Sequence, residues 1–174
     1  MMIDTITLQM IRDIVTIFGV LAGLTYYVLN VRNSQRIQKM TLETRQAQLF
    51  MQIYDRWADR EMTKMEYEFQ EWQWNDYDDY VRKYESDVNS LSLRTTIGKY
   101  YEGIGVLVKR GLVDPSFVDD LMSTGILRYW EKFEPIVRET RARTDWPQRA
   151  EYQEYLYNQI KKVLESQHPE TASH

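Results

Sequence analysis

The feature that most constrains this chain is a charge-free apolar run, Ile14-Val15-Thr16-Ile17-Phe18-Gly19-Val20-Leu21-Ala22-Gly23-Leu24-Thr25-Tyr26-Tyr27-Val28-Leu29, followed by Arg32, Arg36 and Lys39. As a helix, its 16 residues span about 24 Å, slightly short of a hydrocarbon core about 30 Å thick. Asn30 and Val31 extend it at one end. Thr5 to Ile11 extend it at the other, which brings Arg12 and Asp13 into the span or to its margin. A cleaved signal peptide is disfavoured, because the start is acidic and bulky Tyr26 and Tyr27 stand where small cleavage-site residues belong. A buried helix of a soluble fold is the rival. The two tyrosines suit an interfacial belt, and the basic residues after them suit a cytoplasmic flank. The run therefore predicts a single-pass protein of the cell membrane, N-terminus outside and C-terminal domain in the cytoplasm.

With 174 residues there is room for one membrane helix and one compact domain of roughly 100–130 residues. Cysteine is absent, which excludes a disulfide framework, a thiolate nucleophile and a thiolate metal site. The net charge of −4 disfavours bulk nucleic-acid binding. The acidic excess lies in Asp55 to Asp87, where eleven carboxylates face five basic residues.

The small and polar residues of the N-terminal segment fall on one stripe. Gln9, Arg12, Thr16, Gly19, Gly23, Tyr26 and Asn30 alternate spacings of three and four, the seam of a coiled coil. Gly19 and Gly23 form a pair that lets two backbones approach in lipid. Arg12, Thr16, Gly19, Gly23, Tyr26 and Asn30 are thus the candidate association residues, and the expected partners are the bilayer, further copies of the chain or other membrane subunits. Arg12, if it lies at membrane depth, needs protein or water around it. The same phase continues through Asn33, Ile37, Met40, Thr44, Ala47, Met51 and Tyr54, and no proline interrupts Thr5 to Asp59. One helix of about 50 residues, roughly 75 Å long, is the simplest structure.

The rest reads as helix throughout, so the fold class is all-α: an N-terminal membrane helix that continues into a cytosolic helical bundle. The expected division is 1–32 for the N-terminal segment and membrane helix, 33–166 for the domain and 167–174 for a disordered tail. Leu42, Leu49, Phe50, Ile53 and Trp57 make a second apolar face on the long helix. Asp59 caps a helix with Met62, Met65, Phe69 and Trp72 inward. A helix with Leu93, Ile97, Tyr101, Ile104 and Val108 follows Ser86 to Ser90, and Gly98, Gly103 and Gly105 within it imply a closely packed neighbour. Gly111 suits the left-handed position after that helix. Asp114-Pro115 caps a short helix to about Met122, and Ser123 or Thr124 starts another, kinked at Pro135. Asp145-Trp146-Pro147 opens the last helix.

The stretch Tyr101-Glu102-x-x-Gly105-x-Leu107-Val108-Lys109-x-Gly111-Leu112-Val113-Asp114, then Phe117-Val118, Arg128-Tyr129-Trp130-Glu131-Lys132 and Pro135, resembles a large family of uncharacterised prokaryotic proteins. Those combine an N-terminal membrane helix with a cytosolic helical domain of unknown function. The resemblance implies architecture and no activity. In size and layout the chain is also similar to the membrane-anchored, HEPN-like accessory protein of RNA-targeting CRISPR systems, which assembles into a pore.

A HEPN ribonuclease needs an Arg followed four to six residues later by His. Arg149 can hold the first position, but Glu154 stands where the His belongs, and the two histidines, His168 and His174, lie in the tail. No phosphate loop, Glu-x-x-His pair or other cofactor motif occurs. The carboxylate pairs Asp78/Asp79, Asp119/Asp120 and Glu151/Glu154 are most simply solvated faces or caps. Arg138, Arg141, Arg143 and Arg149 are candidate contacts for an anion or RNA, but interleaved Glu134, Glu139, Asp145 and Glu151 favour intramolecular pairs. These features favour a non-enzymatic, membrane-anchored helical protein without a cofactor that self-associates or serves as a structural or interaction subunit of a membrane complex. A homo-oligomeric membrane pore or effector, of use in antiviral defence, is the alternative, and a membrane-tethered, RNA-binding HEPN-like domain is the second.

Overall fold

A computed structural model describes residues 2–167, with side chains from Thr7 onward. Of the expected tail, 167–174, Gln167 is the last residue of a helix and 168–174 lie outside the described residues, as do both histidines. Six α-helices and no strand occur among the described residues. They are α1 (Met2–Trp57), α2 (Arg60–Glu71), α3 (Tyr77–Tyr80), α4 (Val88–Lys109), α5 (Pro115–Thr144) and α6 (Glu151–Gln167), with a π turn over Val81–Glu85 after α3. The chain divides into two compact units, residues 1–45 and 46–174.

The first unit holds α1 as far as residue 45, unbroken as the missing prolines predict. Among the described residues the apolar side chains of the run have no cover: Phe18 is 69% exposed and Val28 46%. Thr16 and Thr25 keep their hydroxyls from being stranded by donating to the carbonyls of Arg12 and Leu21, both at 2.8 Å. Leu42, expected on the core face, is exposed, because it precedes the part of α1 that has neighbours.

The second unit begins with the last turns of α1. Phe50 is buried there, and Leu49, Ile53, Tyr54 and Trp57 pack at its side. Helix α6 packs on α4 and α5, and α2 packs on the same pair. Phe69, Tyr129 and Phe133 form the centre, with Phe69–Tyr129 ring centroids 5.1 Å apart and Tyr129–Phe133 centroids 5.6 Å apart. Caps are local where the sequence predicts them. Asp59 accepts from the Glu61 amide, Asp87 from that of Ser90, and Asp114 from that of Ser116 ahead of Pro115. Gly111 has φ +67°, the left-handed value that ends α4.

Three expectations fail for tertiary reasons. First, α5 is one helix of 30 residues rather than two. Its Ser123-Thr124-Gly125 segment is a packing site and not a break: a Cβ on Gly125 would stand 2.8 Å from the Tyr101 hydroxyl. The helix also runs past Pro135 to Thr144. Second, α6 starts at Glu151 and not at Trp146. The Tyr152 and Gln153 amides donate to the Glu102 carboxylate of α4 at 3.3 and 3.2 Å, so this terminus is capped from a neighbouring helix. Third, Gly103 has no neighbour within 4 Å of a would-be Cβ, whereas Gly98 and Gly105 are tightly packed.

Candidate functional site

The association residues read from the sequence stay on the surface of α1. Arg12, Thr16, Gly19, Gly23, Tyr26 and Asn30 are all exposed. A Cβ on Gly19 or Gly23 would meet nothing within 4 Å, which leaves room for another helix backbone. Arg12 lies 3.4 Å from its neighbour Asp13, so the two charges partly neutralise each other. Among the described residues, α1 is the one helix long and apolar enough to cross a membrane, and no residue of its most apolar stretch is buried.

The arginines of the second unit do not form one anion site. Arg138 pairs with Glu134 at 2.6 Å, Arg141 with Glu154 at 2.7 Å, and Arg143 with both Asp78 and Glu139. Arg141 also donates to the Arg149 carbonyl. Of the interleaved acids, Glu134 and Glu139 hold Arg138 and Arg143, whereas Arg141 is held by Glu154, and Glu151 pairs instead with Lys109. Arg149 differs: its guanidinium lies 3.7 Å from Glu85, beyond hydrogen-bond length. The carboxylate pairs are not uniformly solvated. Asp79 is buried, where it accepts from the Asn75 amide and pairs with Lys83 at 2.8 Å and with Arg82. It is a structural hub of the turn before the π segment. No group of three or more acidic or histidine side chains that could hold a metal occurs among the described residues.

Sequence reasoning passed over Glu66, which lies at a cleft of about 210 Å³ lined also by Trp57, Thr124, Gly125 and Arg128. Its carboxylate accepts from the Tyr101 hydroxyl and from Trp57 Nε1 at 3.1 Å. The signal was present: Glu66 sits between Met62 and Phe69 on the inward stripe of α2, a carboxylate at an apolar position. Burial pushes its carboxyl above the ordinary glutamate value, against the two hydrogen bonds that lower it. A raised folded value means that folding favours the protonated form. Stability is then greatest below the ordinary glutamate value and declines as pH climbs through the raised one. Glu66→Gln keeps the acceptor for Tyr101 and Trp57 but removes the charge. We expect the variant to melt no lower than the parent at pH 7, and its melting temperature to lose this decline. A parent-like decline between pH 4 and 7 in the variant would exclude Glu66 as its source.

A family model described as a domain of unknown function (DUF4760) matches residues 14–160. The chain belongs to this family. The DUF4760 match opens at the first residue of the apolar run and closes at Ile160 in α6, so it takes in residues of both units. This is the uncharacterised-family character that the Tyr101–Pro135 stretch suggested. No curated protein and no solved structure matches the chain, and nothing in the DUF4760 match bears on the outline similarity to the CRISPR accessory protein.

Proposed function

We propose that this DUF4760 protein is a non-enzymatic, single-pass membrane protein. Its helical domain faces the cytoplasm, and it associates with further copies of itself through the Arg12–Asn30 stripe of α1. The observation that carries the reading is the exposure of the apolar run. Nine large aliphatic or aromatic residues from Ile14 to Leu29, the tyrosines aside, are 46–69% exposed. Leaving them in water forgoes on the order of 10 kcal/mol of burial free energy, comparable to the whole stability of a small domain. A core helix of a soluble fold would have its cover within the chain. A bilayer supplies that cover, and Arg32, Arg36 and Lys39 set the orientation by staying inside. Once lipid surrounds the helix, apolar faces no longer drive association. Close backbone contact at small residues does, which favours the Gly19–Gly23 side.

Leu21→Arg places a charge mid-run and raises the cost of insertion by about 3 kcal/mol. The variant should shift from the carbonate-resistant membrane fraction to the soluble or degraded pool. Equal membrane partition of parent and variant would remove the anchor reading. In mild detergent the parent should have the mass of an oligomer, and Gly19→Leu with Gly23→Leu should reduce it. A monomeric parent at every accessible concentration would remove the association reading.

A further inference from the structure

Arg149 has a second arginine beside it. Arg94 of α4 also lies 3.7 Å from the Glu85 carboxylate, so two guanidiniums share one acid and neither is within hydrogen-bond length of it. They line a cavity of about 360 Å³ between α4, α5 and the turn before α6, with Phe133 and Trp146 on its walls. This volume is in the range of small-molecule sites.

Two of the lining residues carry unpaired polar atoms. Arg94 Nε and Gln153 Oε1 are buried and have no hydrogen-bond partner among the described residues, and the same is true of the Tyr80 and Tyr129 hydroxyls, whose residues lie behind the lining. Tyr80 is fully buried and Tyr129 is 3% exposed. Gly98, which lines the cavity, lies against Tyr129 and Gln153. A Cβ there would stand 3.1 Å from the Tyr129 hydroxyl and 3.2 Å from Gln153 Nε2, and the Gly98 carbonyl accepts from that Nε2 at 2.9 Å. This bond fixes the Gln153 amide, so Oε1 is its free end. Phe133 is the common floor: its ring lies 6.0 Å from that of Tyr80 and 5.6 Å from both the Tyr129 ring and the Arg94 guanidinium. A buried polar atom left without a partner is costly, and a fold seldom keeps one on the wall of a cavity without a use for it.

The atoms also match in kind. The two lining guanidiniums, Arg94 with its unpaired Nε and Arg149, are donors, and Gln153 Oε1 is an acceptor. An oxyanion takes the guanidiniums, and a hydroxyl on the same molecule satisfies Gln153. Trp146, 53% exposed, offers a planar face at the mouth next to the Arg149 guanidinium, 5.9 Å from its ring. The turn that carries both residues ends in Ala150, which has φ 58° without being glycine, a conformation that the surrounding packing must enforce.

We propose that this cavity binds a phosphate monoester of mononucleotide size, its phosphate on Arg94 and Arg149 and its planar group against Trp146. The test is calorimetric titration of the detergent-solubilised full chain with inorganic phosphate, adenosine monophosphate and adenosine. Adenosine monophosphate should bind at least tenfold more tightly than phosphate, and adenosine should not bind. Arg149→Gln, at a partly exposed position, should weaken adenosine monophosphate at least tenfold with little change in melting temperature. Trp146→Ala should lower affinity for the nucleotide and leave that for phosphate unchanged. No binding at millimolar nucleotide, equal affinity for phosphate and nucleotide, or full affinity in Arg149→Gln would overturn the proposal. None of these readouts depends on whether α1 enters a bilayer.

Discussion

Gly105→Ala will loosen or unseat α6, at a cost of about 3–6 kcal/mol. The added methyl carbon would stand 2.0 Å from the Tyr152 carbonyl oxygen and 2.7 Å from its carbon. Both are backbone atoms, so no rotamer change relieves the clash. The start of α6 is held in place by Glu102, one turn before Gly105 on α4, and by the Lys109–Glu151 pair at 3.1 Å. Pushing the helix outward breaks those bonds, and Leu156 and Ile160 then lose the burial that is complete in the parent. Two such side chains account for the stated range. Overpacking relieved by local adjustment costs only about 1–3 kcal/mol. A denaturant-unfolding difference below about 1 kcal/mol would mean that α4 and α6 do not meet at this point.

Phe133→Ala is expected to cost about 3–5 kcal/mol by leaving a cavity in the middle of the second unit. Phe133 is 2% exposed and meets the rings of Phe69, Tyr80 and Tyr129 at 5.6–6.0 Å. The loss is a large share of the 5–15 kcal/mol typical of a folded domain. The variant should be partly unfolded near physiological temperature, with loss of near-ultraviolet dichroism from the tyrosines around it. Phe133→Leu, which refills most of the space, should recover much of the stability. Equal melting temperatures for Phe133→Ala and the parent would refute the central position of this ring.

Most of the helices were legible because their signals are local. An unbroken helical pattern from Thr5 to Asp59 predicts α1, and Asp59, Asp114-Pro115 and Gly111 mark ends with chemistry contained within four residues. The errors lie where a distant group does the work. Asp145-Trp146-Pro147 has the look of a helix start, yet the carboxylate that takes the first amides of α6 is Glu102, some 50 residues earlier. Gly125 has the composition of a break, but it is small because the Tyr101 hydroxyl lies against it. The candidate site divides in the same way. Arg138, Arg141 and Arg143 have paired acids nearby in sequence or on the adjoining helix, and their neutral fate could be read. The pairing of Arg94 with Arg149 across 55 positions could not, since neither has a local partner that marks it. Glu66 could have been read, as an acid on an apolar stripe.

The continuity of α1 bears finally on proteolysis. Nicking concentrates at exposed turns and loop tips, and in the second unit such turns lie at Gly111–Asp114 and at 145–150. From the apolar run to Trp57 every backbone amide belongs to one helix. No extended linker there presents itself to a protease. Severing the run from the second unit therefore requires the helix to unwind first, so limited proteolysis of the folded chain should cut at those turns before it cuts between Leu29 and Trp57.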